Sequence, residues 1–364
     1  MKPLLFTLLY LPFTTGNTAQ VPTGFKIEVF ADEVDGARQM ALSDSGIVYV
    51  GSRRPGKVHA VIDTDGDFKA DKVVLVIDDL YLPSGLTYKD GDLYIAEVDK
   101  VIRIKDIDKN YDQSPKAEIV YSDLPDKSHH GWKYTKFGPD GRLYVPIGVP
   151  CNVCLSEDKR FGSIIAIDVE TGESEVIAEG VRNSVGFDWD PVNNDFWFTD
   201  NGRDMMGDDL PPCELNRVTK NGQFFGFPYV HGKEVKDPKF SKRFKRDRPD
   251  MSFVAPEWEF QAHVAPLGML FYQGEQFPSE YQNSIFVAQH GSWNRSSKVG
   301  YKIVNLQLDD KRNVIGQTDF VTGWLDGEEV LGRPVDLISL KDGSVLISDD
   351  GFDKIYRVTY NAEK

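Results

Sequence analysis

At 364 residues, with 40% hydrophobic and 12% aromatic side chains and 32 glycines, the chain can bury a large core and carries the turn formers of an all-β fold. A net charge of −15 argues against a nucleic-acid partner, which calls for a basic face. Three cysteines are too few for a disulfide framework.

Lys2 and the apolar stretch from Leu4 to Phe13 read as a secretory signal over residues 1–19, too short to span a bilayer. Export to the periplasm or the exterior is therefore expected, and no other segment is long and apolar enough to be membrane-spanning. GFKIEVFA (24–31) alternates as a strand but has no partner strands nearby. A phrase then recurs six times: a turn signal, about four β-formers, and a loop crowded with Gly, Asp, Arg and His. The copies are SDSGIVYVGSRRPG (43–56), KDGDLYIAEVDK (89–100), GPDGRLYVPIGVPCN (138–152), DPVNNDFWFTDNGRD (190–204), YQNSIFVAQHGSWNR (281–295) and LKDGSVLISDDGFDK (340–354). Repeats with about four strands' worth of residues each predict a single six-bladed β-propeller over 20–364. Pairing of the first strand with the closing DKIYRVTY (353–360) would seal the ring and remove its sheet edges.

Between these phrases lie three irregular features. DTDGDFKAD (63–71) offers oxygen ligands for Ca²⁺ without the length or closing Glu of an EF-hand, and reads equally as a solvated acidic turn. Cys151 and Cys154 form CNVC followed by Leu155, which excludes a c-type haem site; in an exported chain a small-loop disulfide is the natural reading, leaving Cys213 as a buried thiol. An insertion rich in charge and proline at about 225–260 would either wall a pocket or decorate the surface.

In a propeller, the starts of the inner strands and the loops leaving the second strands meet at one mouth. Here that mouth collects cations, namely Arg38, Arg53, Arg54, Arg182, Arg203, Arg295, Lys298, Arg333 and Lys354. They suit an anionic ligand, though arginine is also an ordinary loop residue. Four of the six histidines, His129, His130, His263 and His290, fall in the same region. The loop TDNGRDMMGDD (199–209) adds carboxylates and exposed backbone suited to a hard cation.

GVRNSVGFDWDP with DNGRD, together with HHGWK, FGPDG, HVAPLGMLFY, HGSWNRS and GRPVD, resembles the soluble glucose/sorbosone dehydrogenases, nearest the sorbosone-dehydrogenase-like branch. These are six-bladed propellers that use pyrroloquinoline quinone (PQQ) and Ca²⁺, and the likeness runs from about Gly24 to Tyr360. It implies oxidation of an aldose or sugar aldehyde, with electrons leaving to a separate acceptor. His130, eight residues before Gly138, would be the general base toward the anomeric hydroxyl. Arg182 would stabilise charge on the quinone oxygen, and the backbone of Gly202 and Arg203 would hold the calcium. Arg333 would meet a PQQ carboxylate, with Asn183, Asn201, Arg203, His290, Trp293, Arg295 and Asp350 also about the cofactor, and His263 and Trp293 facing substrate.

The pattern departs from the family at three places. A second family arginine is Val335, a glutamine is Pro150, and a lysine falls near His290 and Gly291, for which Arg295 or Lys298 would compensate. Two other readings use the same fold. A Ca²⁺-dependent lactonase would need acidic and amide ligands on a central metal and fits the arginine-rich mouth poorly. A binding or adhesion propeller would not need His130 and Arg182.

Overall fold

The computed structural model describes residues 18–361. The signal read over 1–19 falls, apart from Thr18 and Ala19, outside the described residues. Six four-stranded antiparallel sheets stand around a ring as predicted. Blade 1 runs Met40–Leu42, Val48–Val50, Val58–Ile62 and Lys72–Ile77; blade 2 runs Gly85–Lys89, Asp92–Ala96, Val101–Ile104 and Glu118–Tyr121. Blade 3 comprises Lys136–Phe137, Leu143–Ile147, Ser163–Ile167 and Ser174–Glu179, with Gln223–Phe224 added in parallel at its outer edge. Blade 4 comprises Phe187–Trp189, Phe196–Asp200, Cys213–Val218 and Trp258–Phe260, and blade 5 comprises Pro266–Phe271, Ile285–Gln289, Lys302–Leu308 and Val314–Val321. In blade 6, Pro334–Ser339, Val345–Asp349 and Lys354–Tyr360 are completed by Phe25–Ala31 from the other end of the chain. Phe25 pairs with Tyr360 and Val29 with Tyr356, so the first strand closes the ring.

The blades are held by the alternation of their strands. Every blade face buries against the next, which is why second strands such as Leu143–Ile147 and Ile285–Gln289 are buried at every position. Six apolar clusters fill the six gaps between neighbours. Phe187, Phe196 and Phe198 of blade 4 meet Tyr144 and Ile164 of blade 3, and Phe286 and Phe320 of blade 5 meet Leu337 and Ile347 of blade 6. The Phe286 and Phe320 rings lie 4.6 Å apart; truncating one such ring to Ala costs about 3–5 kcal/mol. At the axis, Val185, Leu267 and Val335 form a small collar with Trp132. Val335, where the family pattern has an arginine, is thus an apolar stopper in the channel.

The insertion is only partly extra. Its end, Trp258–Phe260, is the outer strand of blade 4. The rest is a hairpin, Val230–His231 with Val235–Lys236, and two short helical turns packed through Phe240 and Phe244 onto Phe224 and Tyr229. Among the described residues no helix is long and apolar enough to cross a membrane.

Candidate functional site

The mouth where inner strands begin and second strands end holds a cavity of about 220 Å³. Five blades line it and blade 2 does not. Arg38 and Arg53 come from blade 1, His130 and Trp132 lead into blade 3, Arg182, Asn183, Asn201, Gly202 and Asp204 belong to blade 4, His263, His290 and Trp293 to blade 5, and Arg333 to blade 6.

His130 is buried, with φ +52, a left-handed backbone that a non-glycine residue adopts at a cost of about 1–3 kcal/mol. Gly148 makes the room, since a Cβ there would lie 2.6 Å from that of His130. Nδ1 of His130 lies 2.9 Å from the Val149 carbonyl. A carbonyl only accepts, so Nδ1 carries the proton and Nε2 keeps its lone pair. Burial, reinforced by Arg182 and His129, pushes the imidazolium pKa down to about 2, so the ring is neutral. His129 is its exposed neighbour, with ring centroids 4.1 Å apart.

Arg182 is clamped. Nε donates to the Asn152 carbonyl, Nη1 to the Asn201 carbonyl, and Nη2 to both Asn152 Oδ1 and Asp204 Oδ2, all between 2.9 and 3.1 Å. Four of its five N–H groups are thereby committed. Asp200 receives the backbone N–H groups of Arg182 and Asn183, tying the RN pair to the end of a second strand. Asn201 in turn donates to the Asn183 carbonyl.

On the opposite wall, four residues from three blades form a chain. Arg38 donates to Asp350 Oδ2 at 2.7 Å, Asp350 Oδ1 lies 2.7 Å from His290 Nε2, and His290 Nδ1 lies 3.2 Å from Arg333 Nη2. Burial alone would raise the Asp350 carboxyl pKa, but the His290 N–H and the Arg38 guanidinium outweigh it and hold it well below the usual carboxylate range. Burial also lowers the His290 pKa. Arg333 Nε is buried without a partner. Arg53 makes no ion pair among the described residues; its guanidinium stacks 4.3 Å over the Trp132 ring, and burial lowers its pKa to about 10, leaving it charged at neutral pH.

The remaining sequence candidates divide. His263 lines the cavity, its Nε2 donating to the Gly207 carbonyl at 2.8 Å, and Trp293 stands 71% exposed at the rim rather than in the core. Gly202 lines the cavity, its N–H directed at the buried Cys213 sulfur. The Arg203 side chain turns away, to Asp237 of the insertion at 2.6 Å, where His231 also meets Asp237. The insertion therefore props the calcium-loop candidate from behind instead of walling the cavity. Arg295 is outside the lining, bound to the Asp208 carbonyl and to Asp209, and Lys298 is bound to Glu328, so neither replaces the family lysine. Pro150 lies in a separate groove with Asp126 and Arg160. Asp63, Asp65 and Asp71 do converge at the surface, with Asp63 receiving the Gly66 and Phe68 N–H groups.

Two groups escape the sequence reading. Asn152 lies inside the loop that the Cys151–Cys154 disulfide closes, and Asp204 links that loop to Arg182. Arg38, Arg53 and Trp132 are legible only as members of motifs or of the cation list, with no role attached.

The family model described as TrAA12-like matches residues 19–323. An uncharacterized protein of Borreliella burgdorferi is 39% identical over 357 residues, covering 94% of this chain and 91% of its own length. The calcium structure of the Trichoderma reesei family AA12 carbohydrate-active enzyme superposes with a TM-score of 0.80 at 18% identity, covering 94% of this chain and 97% of that one. The holo form of the pyranose dehydrogenase PQQ domain of Coprinopsis cinerea gives 0.76 at 16%, over 94% and 97%. The PQQ-bound aldose sugar dehydrogenase of Streptomyces coelicolor gives 0.66 at 18%, over 94% and 100%. Sharing the propeller fold of these three structures, and matched along most of its length by one family model, this chain belongs to the TrAA12-like family.

Proposed function

We propose that the chain is an exported PQQ- and Ca²⁺-dependent oxidoreductase that converts an aldose or sugar aldehyde, sorbosone among the candidates, to the lactone or acid. The observation that carries this is the pairing, in one cavity, of an imidazole with a free Nε2 and arginines that the protein leaves without acidic partners. The cavity suits a planar tricarboxylate: Arg53 has no counter-ion, Arg333 has an orphaned Nε, and Trp132 presents a flat face. Oxygen donors for a calcium ion are at hand in the backbone after Asn201, where the Gly202 and Arg203 carbonyls accept no hydrogen bond among the described residues. The holo and PQQ-bound states of the two dehydrogenases above support the same ligand class here.

PQQ, with Ca²⁺ as a Lewis acid, would supply a two-electron acceptor for the hydride of the sugar's anomeric carbon. The protein's part is position and proton transfer. His130 Nε2 would take the anomeric hydroxyl proton, and Nδ1–H on Val149 fixes the ring in the tautomer that allows it. Arg182, held by Asn152, Asn201 and Asp204, has one N–H left for charge that develops in the cavity. His290 aims Arg333, and Arg53 adds a second guanidinium in place of the charge lost at Val335. Electrons would leave to a separate acceptor. An oxidising compartment agrees with the Cys151–Cys154 disulfide and with the leader read in the sequence.

The test is titration of metal-stripped protein with PQQ and Ca²⁺, followed by dye reduction with a panel of aldoses and sorbosone. Stoichiometric PQQ binding with sugar-dependent turnover supports the reading. No binding at micromolar PQQ with calcium present overturns it.

A further inference from the structure

The central cavity does not end at its rim. A second depression of about 450 Å³ runs outward between blades 6 and 1, lined by Asp35, Arg53, Arg54, Trp293, Arg333 and Asp353 among others. It shares Arg53, Trp293 and Arg333 with the central cavity, so the two adjoin across these three side chains, His130 lining the inner one.

The carboxylates of this groove are already engaged. Asp35 is bound to Lys57 at 2.8 Å, Asp350 is held by Arg38 and His290, and Asp353 receives the Gly36 N–H at 2.7 Å. Two of its three arginines are not. Neither Arg53 nor exposed Arg54 makes an ion pair or side-chain hydrogen bond among the described residues, although the chain as a whole carries a charge of −15. In so acidic a protein two adjacent arginines without partners mark a local positive potential, which attracts an anion. Beside them Trp293, at 71%, is the most exposed large apolar side chain among the described residues, and it makes no ring contact there. An indole left in water at the lip of a polar groove offers the apolar C–H face of a sugar ring a platform, with its edges free for polar contacts.

We infer that this groove is a second sugar subsite, and that the substrate is the reducing end of an oligosaccharide whose neighbouring residue bears an anionic group, a uronate carboxylate or a sulfate. The reducing-end ring reaches the cavity beside His130, the next ring stacks on Trp293, and its anion meets the Arg54 guanidinium, with Arg53 at the junction of the two sites. Width and charge both follow from this arrangement: the outer groove is open where a second ring must project, and positive where a plain glucose unit would need no charge.

The inference rests on the proposed sugar oxidation, and the experiment separates the two. Dye-linked kcat/KM is measured at low ionic strength with an aldobiouronic acid and with cellobiose, for the wild type, Arg54→Gln and Trp293→Ala. In parallel, quenching of tryptophan fluorescence measures binding of the aldobiouronic acid to the protein without PQQ. The subsite predicts a preference of about tenfold for the acidic disaccharide, as one charge-assisted hydrogen bond supplies. That preference should fall to near unity in Arg54→Gln and shrink with added salt, while Trp293→Ala should lose affinity for both disaccharides and the quenching signal. Equal kcat/KM for the two sugars, unchanged in Arg54→Gln, overturns the subsite and leaves sugar oxidation standing. Binding of the acidic disaccharide that depends on Arg54, without turnover of any sugar, upholds the subsite and overturns the oxidation.

Discussion

Nδ1 of His290 faces Nη2 of Arg333 at 3.2 Å, and because an arginine can only donate, the imidazole must accept there. Its proton is therefore on Nε2, directed at Asp350, which Arg38 holds from the far side. His290 is a positioning residue: it aims the guanidinium of blade 6 across the cavity without carrying charge itself.

This arrangement separates two substitutions at the same position. Glutamine retains an acceptor for Arg333 and a donor for Asp350, whereas leucine retains neither. His290→Gln should keep PQQ affinity within about threefold, and His290→Leu should weaken it by about tenfold or more, the worth of one charge-assisted hydrogen bond. Titration with PQQ in the presence of Ca²⁺ reads the difference. Equal affinities in the two variants would show that the contact with Arg333 does not matter.

His130 should divide rate from binding. Its Nε2 has no other duty, and its ring is held neutral by burial. His130→Ala should lower kcat by about 10²–10⁴-fold, the usual contribution of a general base, while PQQ binding stays within a few-fold of wild type. The imidazole pKa should also respond to ligand. Burial is the largest cause of the low value and the Arg182 charge adds to it, so an anion that neutralises Arg182 must raise it. Nitrogen-15 chemical shifts of His130 with and without PQQ measure the change, and a pKa that stays put would remove Arg182 from the account.

The ring was legible in the sequence because its signal is local. A turn, four alternating residues and a polar loop recur in every blade, and the closure of Phe25–Ala31 on Lys354–Tyr360 follows from two strands left without partners. The mouth was legible for the same reason, since propeller topology sends strand starts and second-strand ends to one face. Side-chain direction was not. Arg203 and Arg295 lie in the right loops yet turn to Asp237 and Asp209, contacts made by acids that a loop of different sequence brings in. Asn152 was hidden because CNVC draws attention to its cysteines, while its contribution depends on a neighbour 52 residues away. The outer strand Trp258–Phe260 was lost inside a long polar stretch, since three residues are too few to show a period.

Behind Arg182, Asp200 and Glu214 stand directly opposite each other on adjacent strands, both buried. Burial, with Asp200 facing it, raises the Glu214 pKa from 4.5 to about 8. A carboxyl whose folded pKa is raised stabilises the fold fully below its unfolded value, and that contribution is lost as pH rises through the folded one. Glutamine at 214 would not titrate. It could keep the Gly232 N–H on its oxygen and donate to Asn216 Oδ1, which is buried without a partner, once the Asn216 amide turns over. The stability of Glu214→Gln relative to wild type should therefore climb from about pH 4.5 and level off above about pH 8. Urea unfolding at pH 5, 7 and 9 tests the trend, and a difference that does not vary with pH would place the ionisation of Glu214 outside this window.

The Cys151–Cys154 disulfide should matter for rate more than for fold. The loop it closes holds Asn152, whose carbonyl and Oδ1 both receive Arg182, whose Oδ1 also receives the Asp204 N–H, and whose Nδ2 donates to the Asp204 carbonyl. A loop this short removes little entropy from the unfolded chain compared with one closing tens of residues, so its loss should shift Tm only slightly. Its loss should instead free Asn152, and with it two of the four bonds that orient Arg182. Asn152→Ala, which removes the side-chain contacts alone, should reduce kcat/KM by about tenfold, in keeping with one charge-assisted bond to a guanidinium. Cys151→Ser with Cys154→Ser should fall at least as far, because the carbonyl contact is loosened too. Kinetics and thermal unfolding of both variants decide the matter: a large fall in Tm with kcat/KM intact would make the disulfide a stability element, with no part in holding Arg182.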